Sequence, residues 1–320
     1  MMLVPVVACL IASGAGVTQA ADDDPISTLE AATRPSHSPK GLGVPQAVDS
    51  KGDVFVTNAP GDPITSITVP VLSPSGIGVS IAMDCDGNLY YTNYLSAFLY
   101  KMDATGALLD TKPLVDQDGR PITLGEMSWD DTRQVLWAGT DDRAPIQIYT
   151  IDPTSGVATH RFDGGPGISL TDGLAYEDTG SGVIWHSPDV SMDIYKFDAA
   201  TGASLGSLTP LDAAGAPLGS ISGVMIGLDP ILYIGRNGFG EIVKVNKNTG
   251  AFIASFSTPG GRDEGLECDA VNFDPLLAVW SKDAFDNTVS AIELEPNTCL
   301  CGGVVPVENT SWGQIKNSYR

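Results

Sequence analysis

GVIWHSPDVSMDIYKFDAATG, residues Gly182 to Gly202, contains an apolar run ending on an aromatic (Val183, Ile184, Trp185), a polar break, an alternating run (Ile194, Tyr195, Lys196, Phe197) and a Thr201-Gly202 turn. Apolar runs of that length, bounded by Pro, Asp and Gly, read as strand, loop, strand, turn. The phrase recurs. Copies run from Asn88 to Gly106, Val135 to Gly156, Ile231 to Gly250 and Leu277 to Cys299. The aromatic in the second strand falls at Tyr90, Trp137, Trp185, Tyr233 and Trp280, in steps of 47, 48, 48 and 47 residues. A fixed period in that range is the mark of a repeat architecture.

Each of these copies is preceded by a short apolar strand: Val79 to Met83, Gly125 to Trp129, Asp172 to Tyr176, Ser222 to Ile226 and Glu264 to Cys268. After the turn comes a fourth run, such as ALLDTKPL from Ala107 or AFIASFST from Ala251. The unit is four antiparallel strands. An earlier stretch, VPQAV near Leu42 followed by DVFVTN, reads as a shortened first copy, because Phe55 precedes Tyr90 by only 35 residues. Its missing strand is expected from the N-terminal arm or the C-terminal tail. Four-stranded units in tandem bury both faces only against one another, and a ring removes the exposed ends. The expectation is therefore an all-β, six-bladed β-propeller of four-stranded antiparallel blades, the first incomplete, over residues 42–305.

The repeated Asp/Glu-Gly-Leu before an aromatic, then Leu/Ile-Trp/Tyr, Ile-Tyr-x-Phe-Asp and Thr-Gly, resembles the NHL, virginiamycin B lyase-like and SMP-30/gluconolactonase-like six-bladed propellers. That resemblance implies a fold shared by many activities.

The 320 residues carry a net charge of -22, from 30 Asp and 9 Glu against 17 Lys and Arg. Much of the Asp belongs to turns. A surface so acidic repels nucleic acid and anionic membranes, leaving cationic ligands and metals as partners. Residues 1–20 are apolar, close on Thr18-Gln19-Ala20 and precede three aspartates, the pattern of a secretory signal peptide, although no Lys or Arg opens it. Residues 21–41 read as a linker or N-terminal arm, residues 306–320 as a C-terminal tail outside the repeat. No later segment reaches the roughly 20 apolar residues of a membrane-spanning helix. The expectation is a secreted protein, extracellular or periplasmic, and monomeric. Cys85, Cys268, Cys299 and Cys301 remain after cleavage, and their pairing is open in three ways. Cys299 and Cys301 share one face of a strand and are poorly placed to bond each other.

In such a blade, the start of strand one and the end of strand two lie at the same end of the disc. The strand-two exits carry Asn58, Asn93, Asp141, Asp189, Asn237 and Asp283, which predicts a ring of ligand-binding amides and carboxylates. The strand-one entries carry Glu126, Asp172, Ser222 and Glu264. At about 5 Å and an effective dielectric near 20, two like charges cost on the order of 3 kcal/mol, so the three acids are expected either to raise their own pKa values or to recruit a cation. Calcium suits carboxylates and amide carbonyls. The SMP-30/gluconolactonase resemblance implies a channel Glu (Glu264 or Glu126) with Asn93, Asn237 and Asp189 or Asp283 around a calcium that polarises a lactone or ester carbonyl. Here Gly265-Leu266 stands where that group has Gly-Pro.

His186 is the histidine inside a strand of the anchor phrase. It reads as a packed interblade residue or, alternatively, as a general base. Asp84-Cys85-Asp86-Gly87-Asn88 reads as a hairpin turn before it reads as a calcium loop. Two functions follow as expectations: a propeller binding a small ligand or partner protein at the mouth, with a structural calcium ion, and, as the alternative, a calcium-dependent lactonase or esterase using the same mouth.

Overall fold

The computed structural model describes residues 59–73, 79–93, 96–141, 144–165, 168, 170–189, 191–283, 286–299 and 301, with the strands β1 (Gln46–Val48) and β2 (Val54–Val56). The arm, the signal segment and the C-terminal tail lie outside the described residues. Beyond β3 (Pro63–Thr68), blade I comprises β4 (Val79–Met83), β5 (Asn88–Asn93), β6 (Phe98–Asp103) and β7 (Leu108–Pro113). A two-residue strand β8 (Val115–Asp116) joins the outer edge of blade II, whose strands are β9 (Leu124–Asp130), β10 (Val135–Thr140), β11 (Gln147–Ile151) and β12 (Val157–Asp163). Blade III is β13 (Thr171–Glu177), β14 (Val183–Pro188), β15 (Ile194–Asp198) and β16 (Ser204–Leu208). Blade IV is β17 (Ile221–Ile226), β18 (Ile231–Arg236), β19 (Glu241–Asn246) and β20 (Phe252–Ser257). Blade V is β21 (Asp263–Asp269), β22 (Leu277–Asp283) and β23 (Thr288–Leu294), completed by β3 from the start of the chain.

The described blades number five, not six. The innermost strands β4, β9, β13, β17 and β21 each touch the next, and β21 touches β4, so the circle is closed without a further blade. The expected incomplete first blade is divided instead. Strands β1 and β2 pair with each other, Gln46 to Val56 through Val48 to Val54, while β3 lies antiparallel to β23 from Thr68–Thr288 to Pro63–Ile292. The early copy thus lends its strand to the last blade rather than receiving one.

Five apolar clusters fill the five gaps between blades, and each holds one of the periodic aromatics. Tyr90 lies between blades I and II, Trp137 between II and III, Trp185 between III and IV, Tyr233 between IV and V, and Trp280 between V and I. The 47- and 48-residue period is the repeat of these cores. In four blades an acid at the end of strand one accepts a hydrogen bond from the aromatic: Asp84 from Tyr90, Asp130 from Trp137, Glu177 from Trp185 and Asp269 from Trp280, at 2.8–3.1 Å. A buried indole N–H or phenol needs such a partner. The strand-three acids Asp103, Asp152 and Asp198 bend back to accept the backbone N–H of Thr105, Thr154 and Thr201 at 2.8 Å, which makes the Thr-Gly turns. The Asp84 loop is likewise a hairpin, its carboxylate accepting the N–H groups of Asp86 and Asn88.

Strand one of every blade presents an unpaired edge to the axis. Side chains of neighbouring blades cap several of these backbone groups: Glu126 Oε1 accepts from Ile81 N at 2.9 Å, Ser128 Oγ from Tyr176 N at 3.1 Å, and Ser222 Oγ donates to Asp263 O at 2.8 Å. The strands approach so closely that a side chain is excluded at some positions. A Cβ on Gly173 would stand 2.3 Å from Ser222 O, and one on Gly223 1.8 Å from Glu264 O.

Two disulfides, Cys85–Cys301 and Cys268–Cys299, complete the ring, and Cys299 and Cys301 are not bonded to each other. Cys268–Cys299 lies within blade V. Cys85–Cys301 joins the first hairpin of blade I to the segment after β23, across the seam where the circle closes.

Gly223→Ala is expected to lose at least about 3 kcal/mol in urea unfolding, because the obstacle is backbone. Gly165→Ala, whose added carbon meets only the Ile168 side chain at 3.4 Å, is the control and is expected to shift the midpoint by less than about 0.5 kcal/mol. Equal midpoints for the two variants contradict the tight axis. Removing Cys85–Cys301 by paired Ser substitutions releases a loop of 216 residues and is expected to cost about 2–5 kcal/mol. An unchanged midpoint would show that the seam is held by β3 alone.

Candidate functional site

Antiparallel pairing places strand-one starts beside strand-two ends, as in Thr171 opposite Pro188 and Asp263 opposite Asp283. At this end of the ring, three of the expected acids converge on one cation. Arg262, which immediately precedes β21, reaches Asp172 Oδ2 at 2.6 Å, Asp189 Oδ1 at 3.1 Å and Glu264 Oε1 at 2.5 Å. Asp172 is the second residue of β13 and Asp189 follows β14, so blade III supplies two acids and blade V the third acid and the arginine. Asn237 is drawn to the same place, its backbone bridging that of Arg262.

Burial outweighs the guanidinium in setting the acids' ionisation. Desolvation pushes Asp172 and Glu264 above the ordinary carboxylate range, Glu264 adds to the shift of Asp172 and Asp189 to both, and Arg262 opposes the shift. A second cation, Lys282, is wholly buried and donates to the Asp286 carbonyl. Desolvation pulls its ammonium below the usual lysine range, against the pull of Asp286, Glu264, Asp283 and Glu126.

The other expected residues separate from this group. Glu126 is buried against the inner edge of blade I, with one oxygen on Ile81 N and Met127 N and the other without a hydrogen-bond partner among the described residues. Burial holds it well above the ordinary range, with Glu264 and Glu267 adding to the shift. Asn93 donates to Val71 O, and Asp141 accepts from Thr123 Oγ1 at 2.8 Å. Asp283 accepts from Gly261 N at 2.6 Å. Asn58 lies outside the described residues. His186 is fully buried, 3.3 Å from Thr171 Oγ1, and desolvation pulls its pKa down to about 3, so its imidazole is neutral at pH 7.

The arrangement does not fit calcium. Arg262 stands where the cation between Asp172 and Glu264 was expected, Glu126 spends one oxygen on backbone N–H groups, and among the described residues no three His, Cys, Asp or Glu converge as metal ligands. Reading acids alone missed the arginine. The signal was present in the tripeptide Arg262-Asp263-Glu264, where a cation adjoins the innermost strand.

No protein-family model matches the sequence, and no curated protein matches it in sequence. Solved structures do match in shape. Glutaminyl cyclase of Myxococcus xanthus is similar at a TM-score of 0.50 and 9% identity, over 74% of this chain and 97% of that one. A luciferin-regenerating enzyme is similar at 0.49 and 12%, over 75% and 99%. The calcium-binding protein regucalcin of Agrobacterium tumefaciens str. C58 is similar at 0.45 and 16%, over 73% and 95%. Identities this low concern the fold, which is a β-propeller.

Replacing Arg262 by Met strands Asp172, Asp189 and Glu264. At pH 8 the variant is expected to lose about 3 kcal/mol. Asp172 and Glu264 already bind protons more tightly in the folded state than in the unfolded chain, and without Arg262 their pKa values rise further. The loss should therefore shrink as pH falls through those folded-state values, to less than about 1 kcal/mol at pH 5. Urea midpoints at the two pH values measure this, and an equal loss at both would assign Arg262 a packing role.

Proposed function

We propose that this chain is an exported β-propeller that binds a small cationic ligand at the end of the ring where Arg262 gathers Asp172, Asp189 and Glu264. The observation that carries the reading is the charge balance of that group: three carboxylates meet one guanidinium, and burial disfavours the ionised form of two of the acids, which a second cation would restore. An incoming cation gains Coulomb energy there that an anion loses. Two exposed apolar side chains on loops at the same end, Met192 and Phe239, add a rim for the hydrocarbon part of a ligand; Arg236 lies over the Phe239 ring at 3.7 Å. Export is supported by the two disulfides, which persist in oxidising compartments.

The alternative, a calcium-dependent lactonase or esterase, has less support because Arg262 takes the metal's place among the acids.

Thermal-shift and calorimetric titration with putrescine, agmatine and arginine methyl ester, against acetate and glucose, tests the proposal. The cations are expected to raise Tm at millimolar concentration through binding to the folded state, and Asp189→Asn is expected to weaken binding about tenfold. A response to acetate alone, or none to any cation, overturns the proposal. Chelator-sensitive turnover of a lactone panel would put the hydrolase in its place.

A further inference from the structure

A cavity of about 110 Å³ opens on blade V beside the Arg262 group, between β3, β22, β23 and the turn at Pro259 and Gly260. Its chemistry differs from that of the interblade cores. One wall is a pair of hydroxyls, Ser66 Oγ and Ser290 Oγ at 2.8 Å, where either donates. Ser281 donates to Asp263 Oδ1 at 2.6 Å and Thr258 to its Oδ2 at 2.7 Å, so each oxygen of Asp263 already has a hydroxyl donor from the protein. Asp283 accepts the backbone N–H of Gly261 and Asp286 that of Thr288, both at 2.6 Å. A carboxylate offers about four acceptor positions, so Asp286 keeps acceptor capacity beyond the Thr288 bond. The described lining contains no Lys, Arg or aromatic side chain.

These features select a ligand. Asp283 and Asp286 together outweigh the one buried ammonium near them, that of Lys282, so the wall favours a further positive charge, and a primary ammonium supplies three donors to carboxylate and hydroxyl oxygens. The serine pair both donates and accepts, which matches ligand hydroxyls. Without an aromatic face there is no platform on which a sugar ring stacks. At roughly 15 Å³ for each water, the volume holds about seven, so it takes a ligand of about six non-hydrogen atoms.

We infer that this cavity is a binding site for a small acyclic amino alcohol, its ammonium between Asp283 and Asp286 and its hydroxyls on Ser66 and Ser290. The inference rests on the reading that this end of the ring binds cations, and it names the seat and class of the ligand.

Serinol, glycerol and isopropylammonium form the probe set: serinol has both features, glycerol lacks the charge, and isopropylammonium lacks the hydroxyls. Titration calorimetry on the full chain is expected to show serinol binding at least about tenfold more tightly than either. Ser66→Leu blocks the entrance from an exposed position on β3, and Asp286→Asn removes a charge from an exposed residue, so neither threatens the fold. Each is expected to weaken serinol about tenfold, while Asp189→Asn at the Arg262 group changes it by less than about threefold. Serinol binding that survives Ser66→Leu but is lost in Asp189→Asn overturns the cavity site and leaves the cation site at Arg262 standing. Equal affinity for glycerol and serinol, or no serinol binding at 50 mM (about the limit of the method), also overturns it, whatever the larger cations do.

Discussion

Five strand edges meet at one axis, and each carries backbone groups with no strand beside them. An unpaired buried N–H or C=O costs about as much as a lost hydrogen bond, so the centre of the ring is a problem of polar satisfaction before it is a place for chemistry. The chain answers it with side chains lent across blades. Glu126 serves the edge of blade I, Ser128 that of blade III and Ser222 that of blade V. This need explains why polar and even acidic residues occupy the most buried strands, and why Gly223 admits the neighbouring backbone where any Cβ would collide. The ionisation of the axial acids follows from the same crowding.

The sequence shows the blades because their cores repeat. Each gap between sheets holds one large aromatic, bonded to an acid in four of the five, so Tyr90, Trp137, Trp185, Tyr233 and Trp280 recur at the blade spacing. The number of blades was less legible. Phe55 and its flanking residues share the local pattern of a strand, and β3 looks the same in sequence whether it pairs beside its own hairpin or with β23. Pairing partners distant in sequence are decided by ring closure, which leaves no local mark. One consequence was an expected sixth blade.

The candidate site was legible in part, for a related reason. Strand-one entries and strand-two exits are fixed by the repeat, so Asp172, Asp189 and Glu264 could be placed at one end of the ring. What balances them could not be placed by period, because Arg262 and Lys282 occur once each and have no equivalents in the other blades. A charge that breaks the repeat is where blade V departs from its neighbours. Asn93 and Asp141, by contrast, occupy the repeat position and serve the local hydrogen bonding of their own surroundings.

The two cystine bridges are nested in sequence: Cys268–Cys299 forms inside the interval that Cys85–Cys301 spans. A chain emerging N-terminus first presents Cys85 alone for most of its length, then meets two cysteines that are not its partner before the fourth appears. Strand β3 waits in the same way for β23. Vectorial synthesis therefore leaves Cys85 without its partner until Cys301 arrives and β3 without its neighbour until β23 does. That delay makes thiol reshuffling and protection of a bare strand edge part of how this molecule must be made.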